Sequence, residues 1–391
     1  MLVALVLACH MPAAVPAPAT QGEPIATVAA PAPEPPPPEP PKPPPPPPRV
    51  RMLAAGDIIP HPSVLGSAET HGWDSLFTEV KEVVGAADLA IVNLETPLAS
   101  ALDGNTAEKV FYAPVALAEA VRDAGFDAVS IANNHVWDQG RAGLVETVGH
   151  LDAVGLAWAG AGRTCAEAEA YRIFERNGLT IGWVAASRVH NLYLNGEPAD
   201  PCVFKFDPAR VIAVGQAARA AGAELVVLSV HWGQEYEAEP RSWERNYAKM
   251  LVAGGFDVIL GHHPHVLQPI EWVEHGGRRG LVAYSLGNFL SGQSWAYSSP
   301  ERGLRRDGGL LELVMERVDG VAAVTSAKLL PTWTEHGAVA CAGRPARVRA
   351  ILLGPSVVAA EADPATQVCA AHYRQRIAAV RDAVGRPFSA E

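Results

Sequence analysis

Basic residues are in short supply: 31 Lys and Arg stand against 42 Asp and Glu in 391 residues, a formal net charge of −11. A nucleic-acid binder needs a basic face that displaces counterions, so this balance argues against nucleic acid as a partner. Cysteine is scarce as well. There are five, none in a CxxC pair, which removes the zinc-finger and thioredoxin-like readings. The opening apolar run, Met1 to Cys9, falls far short of the roughly 20 residues that cross a bilayer. No GxSxG motif supplies a serine nucleophile, so water is the natural attacking group for any hydrolysis.

What is present falls into distinct stretches. Residues 1–9 look like the end of a lipoprotein signal, with small Ala8 before a Cys9 that would be cleaved and lipidated. The charged region that precedes such an apolar core is missing, so the natural start is expected upstream. An ordinary buried N-terminal segment is the competing reading. Residues 10–50 are dominated by Pro, Ala and Glu. They cannot bury enough surface to fold and favour polyproline II. Pro31 to Pro48 would reach roughly 55 Å at about 3.1 Å per residue, a stiff spacer between membrane and domain. Cys165, Cys202, Cys341 and Cys369 permit two disulfides in an exported protein. Three pairings are open; proximity in sequence favours Cys165–Cys202 and Cys341–Cys369.

From Arg51 onward the chain alternates strand-like and helix-like segments, the mark of an α/β fold. Six apolar runs each end in polar residues. Arg51–Ala55 leads to Asp57, Leu89–Val92 to Asn93 and Glu95, and Ala128–Ala132 to Asn133, Asn134 and His135. Leu225–Val230 leads to His231, Val258–Leu260 to His262, His263 and His265, and Leu281–Leu286 to Asn288. Residues 75–87 and 241–253 read as helices, and Pro114 opens another, at a position where proline is tolerated. Ligand crevices in open α/β sheets lie outside the carboxyl ends of the strands. The polar ends are therefore expected to converge. A single polar strand end is more often a cap; six together point to a site.

Mixed carboxylate, imidazole and amide ligands suit Mn²⁺, Fe or Zn²⁺ rather than Ca²⁺ or Mg²⁺. The set Asp57, Glu95, Asn134, His135, His231, His262, His263 and His265, with His61 nearby, is too large for one tetrahedral ion and suits two divalent metal ions. A carboxylate is the natural bridge of such a pair.

The motifs Gly56-Asp57, Asn93-Leu94-Glu95, Asn133-Asn134-His135, His231-Trp232-Gly233, Gly261-His262-His263-Pro264-His265 and Ser285 to Phe289 occur in the order of a known family. Over residues 51–335 the chain resembles the bacterial capsule-synthesis CapA family. That family is associated with poly-γ-glutamate capsule production and has a calcineurin-like metallophosphoesterase fold. The resemblance implies a four-layer αββα sandwich over 51–340, followed by a helical extension, 341–391. Asp57 then matches the aspartate of the first metal, and Glu95 takes the place of the bridging aspartate with one more methylene. His61 stands four residues beyond Asp57 where that fold has a histidine at two. Asn134 matches a ligand of the second metal, and His135 an acid or phosphate binder. His231 matches a lone ligand histidine. His263 and His265 keep the H-x-H spacing, whereas His262 keeps the adjacency to glycine, so the choice between His262 and His263 is open.

Several residues carry a plain reading beside a functional one. Asp138 would orient His135 or cap the helix near Arg141. Glu235 is a distal ligand, a substrate contact or a surface ion-pair partner. Asn288 binds substrate or makes a turn. Arg188 and His190, at a further strand end, would meet an anionic substrate. Leu310–Met315 and Val321–Leu329 suggest a hairpin completing a second sheet. The resulting reading is an exported, membrane-anchored, metal-dependent hydrolase of a phosphoester or of a capsule polymer bond. The alternative is a non-catalytic, membrane-anchored accessory or export protein.

Overall fold

The computed structural model describes residues 48–99, 110–293, 304–336, 347–364 and 366–385. Cys9, the proline-rich stretch to residue 47, and Cys341 lie outside the described residues. In chain order the elements begin with β1 (Arg49–Ile59), α1 (Pro62–His71), α2 (Lys81–Gly85), β2 (Leu89–Leu94), α3 (Val115–Asp123), β3 (Ala128–Ser130), α4 (Gly140–Val154), β4 (Ala157–Ala159) and β5 (Ala161–Gly162). Next come α5 (Cys165–Ala168), β6 (Arg172–Arg176), β7 (Leu179–Ser187), β8 (Cys202–Val203), α6 (Pro208–Ala220), β9 (Leu225–His231), α7 (Ser242–Ala253) and β10 (Val258–His262). The chain closes with β11 (Ile270–His275), β12 (Arg278–Ala283), β13 (Asn288–Ser291), β14 (Asp307–Val318), β15 (Val321–His336), β16 (Val348–Leu352), α8 (Leu353–Ala362) and α9 (Gln367–Val384).

Two sheets face one another. The larger runs β16-β15-β14-β1-β2-β3-β4, with β13 also paired to β1; the smaller runs β11-β12-β10-β9-β7-β6. Period-2 alternation sorts the side chains. Leu225, Val227, Val258 and Leu260 join the core shared with the larger sheet. Val226, Leu228, Val230 and Ile259 face α6 and α7 through Val211, Ala218, Leu251 and Val252. On the far side of the larger sheet, Leu117, Val121, Leu144 and Val148 bring α3 and α4 onto the same core. The layers therefore run helix, sheet, sheet, helix, the αββα sandwich. Strand β2 is buried at every position, as expected for a parallel strand covered on both faces. Local signals place the helices: Asp207 caps α6 through the Arg210 amide, and Gly155, with φ of 78°, ends α4 in the left-handed region.

Four expectations change. The β14–β15 hairpin does not complete a second sheet. It extends the first, because β14 pairs antiparallel along β1, Ala55 opposite Leu310. Residues 75–87 contain only a 3₁₀ turn, Trp73–Leu76, and the short α2; four apolar positions at helical spacing did not outweigh packing against the sheet. The run after Leu281 does not end as one strand. It leaves the smaller sheet at Ala283 and enters the larger as β13, with Asn288 opposite Asp57. Beyond residue 340, Val348–Leu352 pairs with β15 as a strand, ahead of the helical part. Of the two expected disulfides, Cys165–Cys202 is formed.

Candidate metal centre

Register sets the site. Asp57 lies opposite Asn93 on one side and Asn288 on the other, and His262 lies opposite His231 across β10 and β9. The carboxyl ends of both sheets therefore meet at one level. Asp57, Glu95, Asn134, His231, His262, His263 and His265 are all buried there.

Asp57 is the hub. Its carboxylate accepts hydrogen bonds from Asn93 Nδ2 at 2.8 Å and from the His263 amide at 3.2 Å. The Nδ1 atoms of His262 and His265 lie 3.2 and 3.1 Å from its two oxygens. Burial alone would raise its pKa; His262 and His265 hold it well below the usual carboxylate range. Glu95 Oε1 lies 3.4 Å from His231 Nε2 and 3.7 Å from His265 Nε2. Burial pushes the Glu95 carboxyl up to about 8, against the pull of His265. Burial likewise drives His231 and His263 far down, so both imidazoles are neutral. In His265 burial is overcome by Glu95 and Asp57, which push it up to about 9.

The neighbouring strand end adds Asn134, whose Oδ1 stands 2.8 Å from His231 Nε2 while its Nδ2 donates to Asn191 Oδ1 at 3.3 Å. His135 places Nδ1 2.7 Å from Asp138 Oδ2, and the Asp138 carboxylate also accepts the Phe111 amide at 2.7 Å. Asp138 thus orients His135, one of the two roles open to it in the sequence. The Phe111 ring stands between His135 and His61, with centroids 4.6 and 5.0 Å away.

Among the described residues, three groups have ligand atoms within 4.8 Å of one another: Asp57, Glu95 and His265; Glu95, His231 and His263; and Glu235, His263 and His265. Glu95 is common to the first two, the position of a bridging carboxylate. The donor set fits divalent transition metals, being oxygen and imidazole nitrogen with no thiolate. Several polar atoms of these residues are buried without a hydrogen-bond partner, namely Glu95 Oε1, His231 Nδ1 and His263 Nδ1. Buried polar groups left unpaired are rare and costly. The backbone is strained at the same place. His263, His265 and Tyr236 have φ of 97°, 58° and 66°, each worth roughly 1–3 kcal/mol when held by its surroundings.

Other candidates are placed differently. His61 joins none of the three groups; its Nδ1 lies 3.1 Å from the Ile59 carbonyl and 3.2 Å from the Gly292 amide. Asn288 turns its amide to backbone, donating to the carbonyls of Arg305 at 2.7 Å and His265 at 3.3 Å. Arg188 is exposed and stacks on Trp243 at 4.2 Å. His190 packs on Tyr193. Neither joins the cluster. Sequence reasoning named Asn93 as a polar strand end but left it out of the site set; it reaches both Asp57 and Glu95. Its signal was its place at the same strand end as Glu95. Asn191 was missed, and nothing local marks it.

Residues 51–293 match the family described as bacterial capsule synthesis protein PGA_cap. The chain belongs to this family. Among its relatives, the PGA biosynthesis protein CapA of Bacillus subtilis (strain 168) is 32% identical over 243 residues, which cover 61% of this chain and 63% of that protein. The capsule biosynthesis protein CapA of Bacillus anthracis is 29% identical over 254 residues, 63% of this chain and 61% of that one. A probable polyglutamine synthesis accessory protein of Mycobacterium tuberculosis (strain ATCC 25618 / H37Rv) is 27% identical over 207 residues, 48% and 52% of the two chains. The chain thus spans less than two thirds of the length of these relatives. Among solved structures, the calcineurin-like phosphoesterase YfkN from Bacillus subtilis is similar with a TM-score of 0.46 at 12% identity, covering 86% of this chain and 99% of that chain.

Proposed function

We propose that this chain is a metal-dependent hydrolase of capsule polymer synthesis, working outside the cytoplasm and tethered to the membrane through its N-terminal stretch at Cys9. Its substrate is the capsule polymer, or a small phosphoester made during its assembly. One observation carries this reading: buried carboxylate and imidazole atoms from both sheets converge with no hydrogen-bond partner for Glu95 Oε1 or His263 Nδ1. Asp57, His262, His265 and Glu95 would hold one divalent ion, and Glu95, Asn134, His231 and His263 a second, drawn from Mn²⁺, Fe and Zn²⁺. Two such ions supply an acidified water and positive charge at the attacking and leaving oxygens.

The chain's own residues do the rest. Asp57 brings the standing negative charge that draws cations into a buried site, Glu95 would add a second on losing its proton, and Asn93 fixes both carboxyl groups. Asn191 keeps the Asn134 amide oxygen turned toward His231. Asp138 accepts the Nδ1 proton of His135 and leaves Nε2 to give or take a proton at the scissile bond. An accessory protein that keeps the metals for structure alone is the second reading, favoured by the accessory description of the mycobacterial relative.

The test is metal content by elemental analysis, alongside hydrolysis of a model phosphodiester and of poly-γ-glutamate. Wild-type protein is expected to hold about two transition-metal ions, and Asp57→Ala and His231→Ala to lose both metal and hydrolysis. Metal bound without any hydrolysis would favour the accessory role. Failure of Mn²⁺, Fe²⁺ and Zn²⁺ alike to bind would refute both readings.

A further inference from the structure

Three arginines among the described residues are buried to less than a tenth exposure: Arg306 at 3%, Arg349 at 2% and Arg376 at 7%. Two of them are neutralised. Arg349 pairs with Glu335 and Glu79, and Arg376 forms a two-point pair with Asp307. Arg306 differs. Its Nε donates to the Gln293 carbonyl at 3.1 Å, its Nη1 is buried with no hydrogen-bond partner, and no carboxylate among the described residues pairs with it. A guanidinium does not shed its charge at any ordinary pH. Leaving it buried and unpaired is among the costlier arrangements in a protein. A counter-charge from outside the chain would complete it.

Its neighbours tie it to the metal cluster. Arg305 lays its guanidinium over the Tyr236 ring at 3.6 Å, its Nε is buried without a hydrogen-bond partner, and no carboxylate among the described residues pairs with it either. The Tyr236 ring lies 6.1 Å from that of His265, and its hydroxyl accepts from Gln293 Nε2 at 3.2 Å. Asn288 Nδ2 spans the gap, reaching the Arg305 carbonyl, the His265 carbonyl and Gln293 Oε1 at 2.7, 3.3 and 3.2 Å. One side-chain amide thus fixes the arginine pair against the loop that carries His263 and His265. In a chain of net charge −11, two adjacent unpaired guanidiniums beside a cluster of carboxylates are out of keeping with a merely structural role.

We propose that Arg306 and Arg305 form an oxyanion subsite beside the metal cluster, which takes a carboxylate or phosphate group of the substrate next to the bond being cut. Assigning that group to a substrate rests on the hydrolase reading; the anion site itself does not. Guanidinium groups suit either oxyanion, since their forked N–H groups match two oxygens at once.

The experiment separates the two readings. Full-length protein is stripped of metal with EDTA, and binding of γ-glutamyl-glutamate and of inorganic phosphate is measured by calorimetry at fixed ionic strength. Saturable binding to the metal-stripped wild type is expected, because the subsite does not need the metals. Arg306→Gln is expected to weaken binding by about tenfold or more, with Arg306→Lys falling between. Tighter binding of the peptide would assign a carboxylate, and tighter binding of phosphate would assign a phosphate; either supports the subsite. Equal binding by wild type and Arg306→Gln, or no binding of either probe to wild type, would overturn it. Should Arg306→Gln lose its far-ultraviolet circular dichroism, Arg305→Gln at the less buried position gives the same readout, and its equal binding would overturn the proposal too.

Discussion

Gly261→Ala puts one methyl group where the strand turns into the histidine loop. A Cβ at this position would meet the carbonyl of Tyr284 well inside van der Waals contact and lie 2.8 Å from Trp232 Nε1. Those two atoms are themselves joined, Trp232 Nε1 donating to the Tyr284 carbonyl at 3.0 Å in a buried hydrogen bond. Neither strand retreats freely. Leu286 donates to the Gly261 carbonyl at 3.1 Å, and Trp232 to the His262 carbonyl at 3.1 Å. Overpacking together with the displaced hydrogen bond should cost about 4 kcal/mol, a large part of the roughly 5–15 kcal/mol that holds a domain folded. Urea denaturation measures the loss, and a metal titration on the same protein measures whether His262, His263 and His265 have moved. Gly66→Ala is the control, on the exposed face of α1 where a Cβ meets nothing within 4 Å; it should gain about 0.5–1 kcal/mol. A Gly261→Ala protein within about 0.5 kcal/mol of wild type, or one destabilised with metal affinity intact, would refute the claim that this close approach aims the loop.

Further tests bear on the scaffold around the site. His336, with Nε2 3.1 Å from the Ser291 carbonyl, is pushed down to about 4 by burial, with Arg306 adding to the effect. The fold therefore keeps it neutral while the unfolded chain takes up a proton near pH 6.5. Stability present above pH 6.5 should fall by about 3 kcal/mol as pH drops through that window to 4, and His336→Gln should flatten this part of the urea midpoint–pH curve. Arg376→Met leaves Asp307 buried without its partner and should cost about 3–5 kcal/mol. Adding Asp307→Leu should recover most of it, and a double variant no more stable than the single would show that the pair is not the cause. Reduction of Cys165–Cys202, 37 residues apart, should lower stability by about 4 kcal/mol in the chain-entropy account; an unchanged urea midpoint in dithiothreitol would reject that figure.

Strand ends were legible because burial and chemistry leave opposite marks on the chain. A run such as Leu225–Val230 must be apolar to lie between two layers, so the first polar residue after it, His231, marks both the edge of the core and the start of the site. The division into two sheets was not legible. Parallel strands covered on both faces look alike whichever sheet takes them, and Leu281–Asn288 reads as one run although it crosses from the smaller sheet to the larger. The pairing of β14 with β1 is decided by which edge is free, a property of the assembled sheet. Asn191 escaped notice because its role depends on a loop returning 57 residues later to Asn134. Arg306 escaped for the opposite reason, since lacking a partner is a fact about space and leaves no trace in sequence.

Cost is concentrated at the carboxyl ends of the sheets. Elsewhere among the described residues several buried charges are paired: Arg349 and Arg376 are matched by carboxylates, and Asp257 by Arg219 and Arg278. Within the site, His263 and His265 hold left-handed backbone, Glu95 Oε1 and two imidazole nitrogens have no hydrogen-bond partner, and nearby Arg306 is buried without a counter-charge among the described residues. A chain that solves the same problem elsewhere by pairing does not fail to solve it here for want of carboxylates, since Glu235, Glu237 and Glu239 stand within a few residues of the His231 strand end. The two defects are also complementary. The carboxylate and imidazole cluster and the two arginines, which pair with no carboxylate among the described residues, are linked through the single side chain of Asn288. A ligand bringing only metal would settle the first and leave the second. Metal ions in the cluster together with an anionic group held between them and the arginines would settle both, which is the arrangement that the proposed hydrolase of an acidic polymer requires.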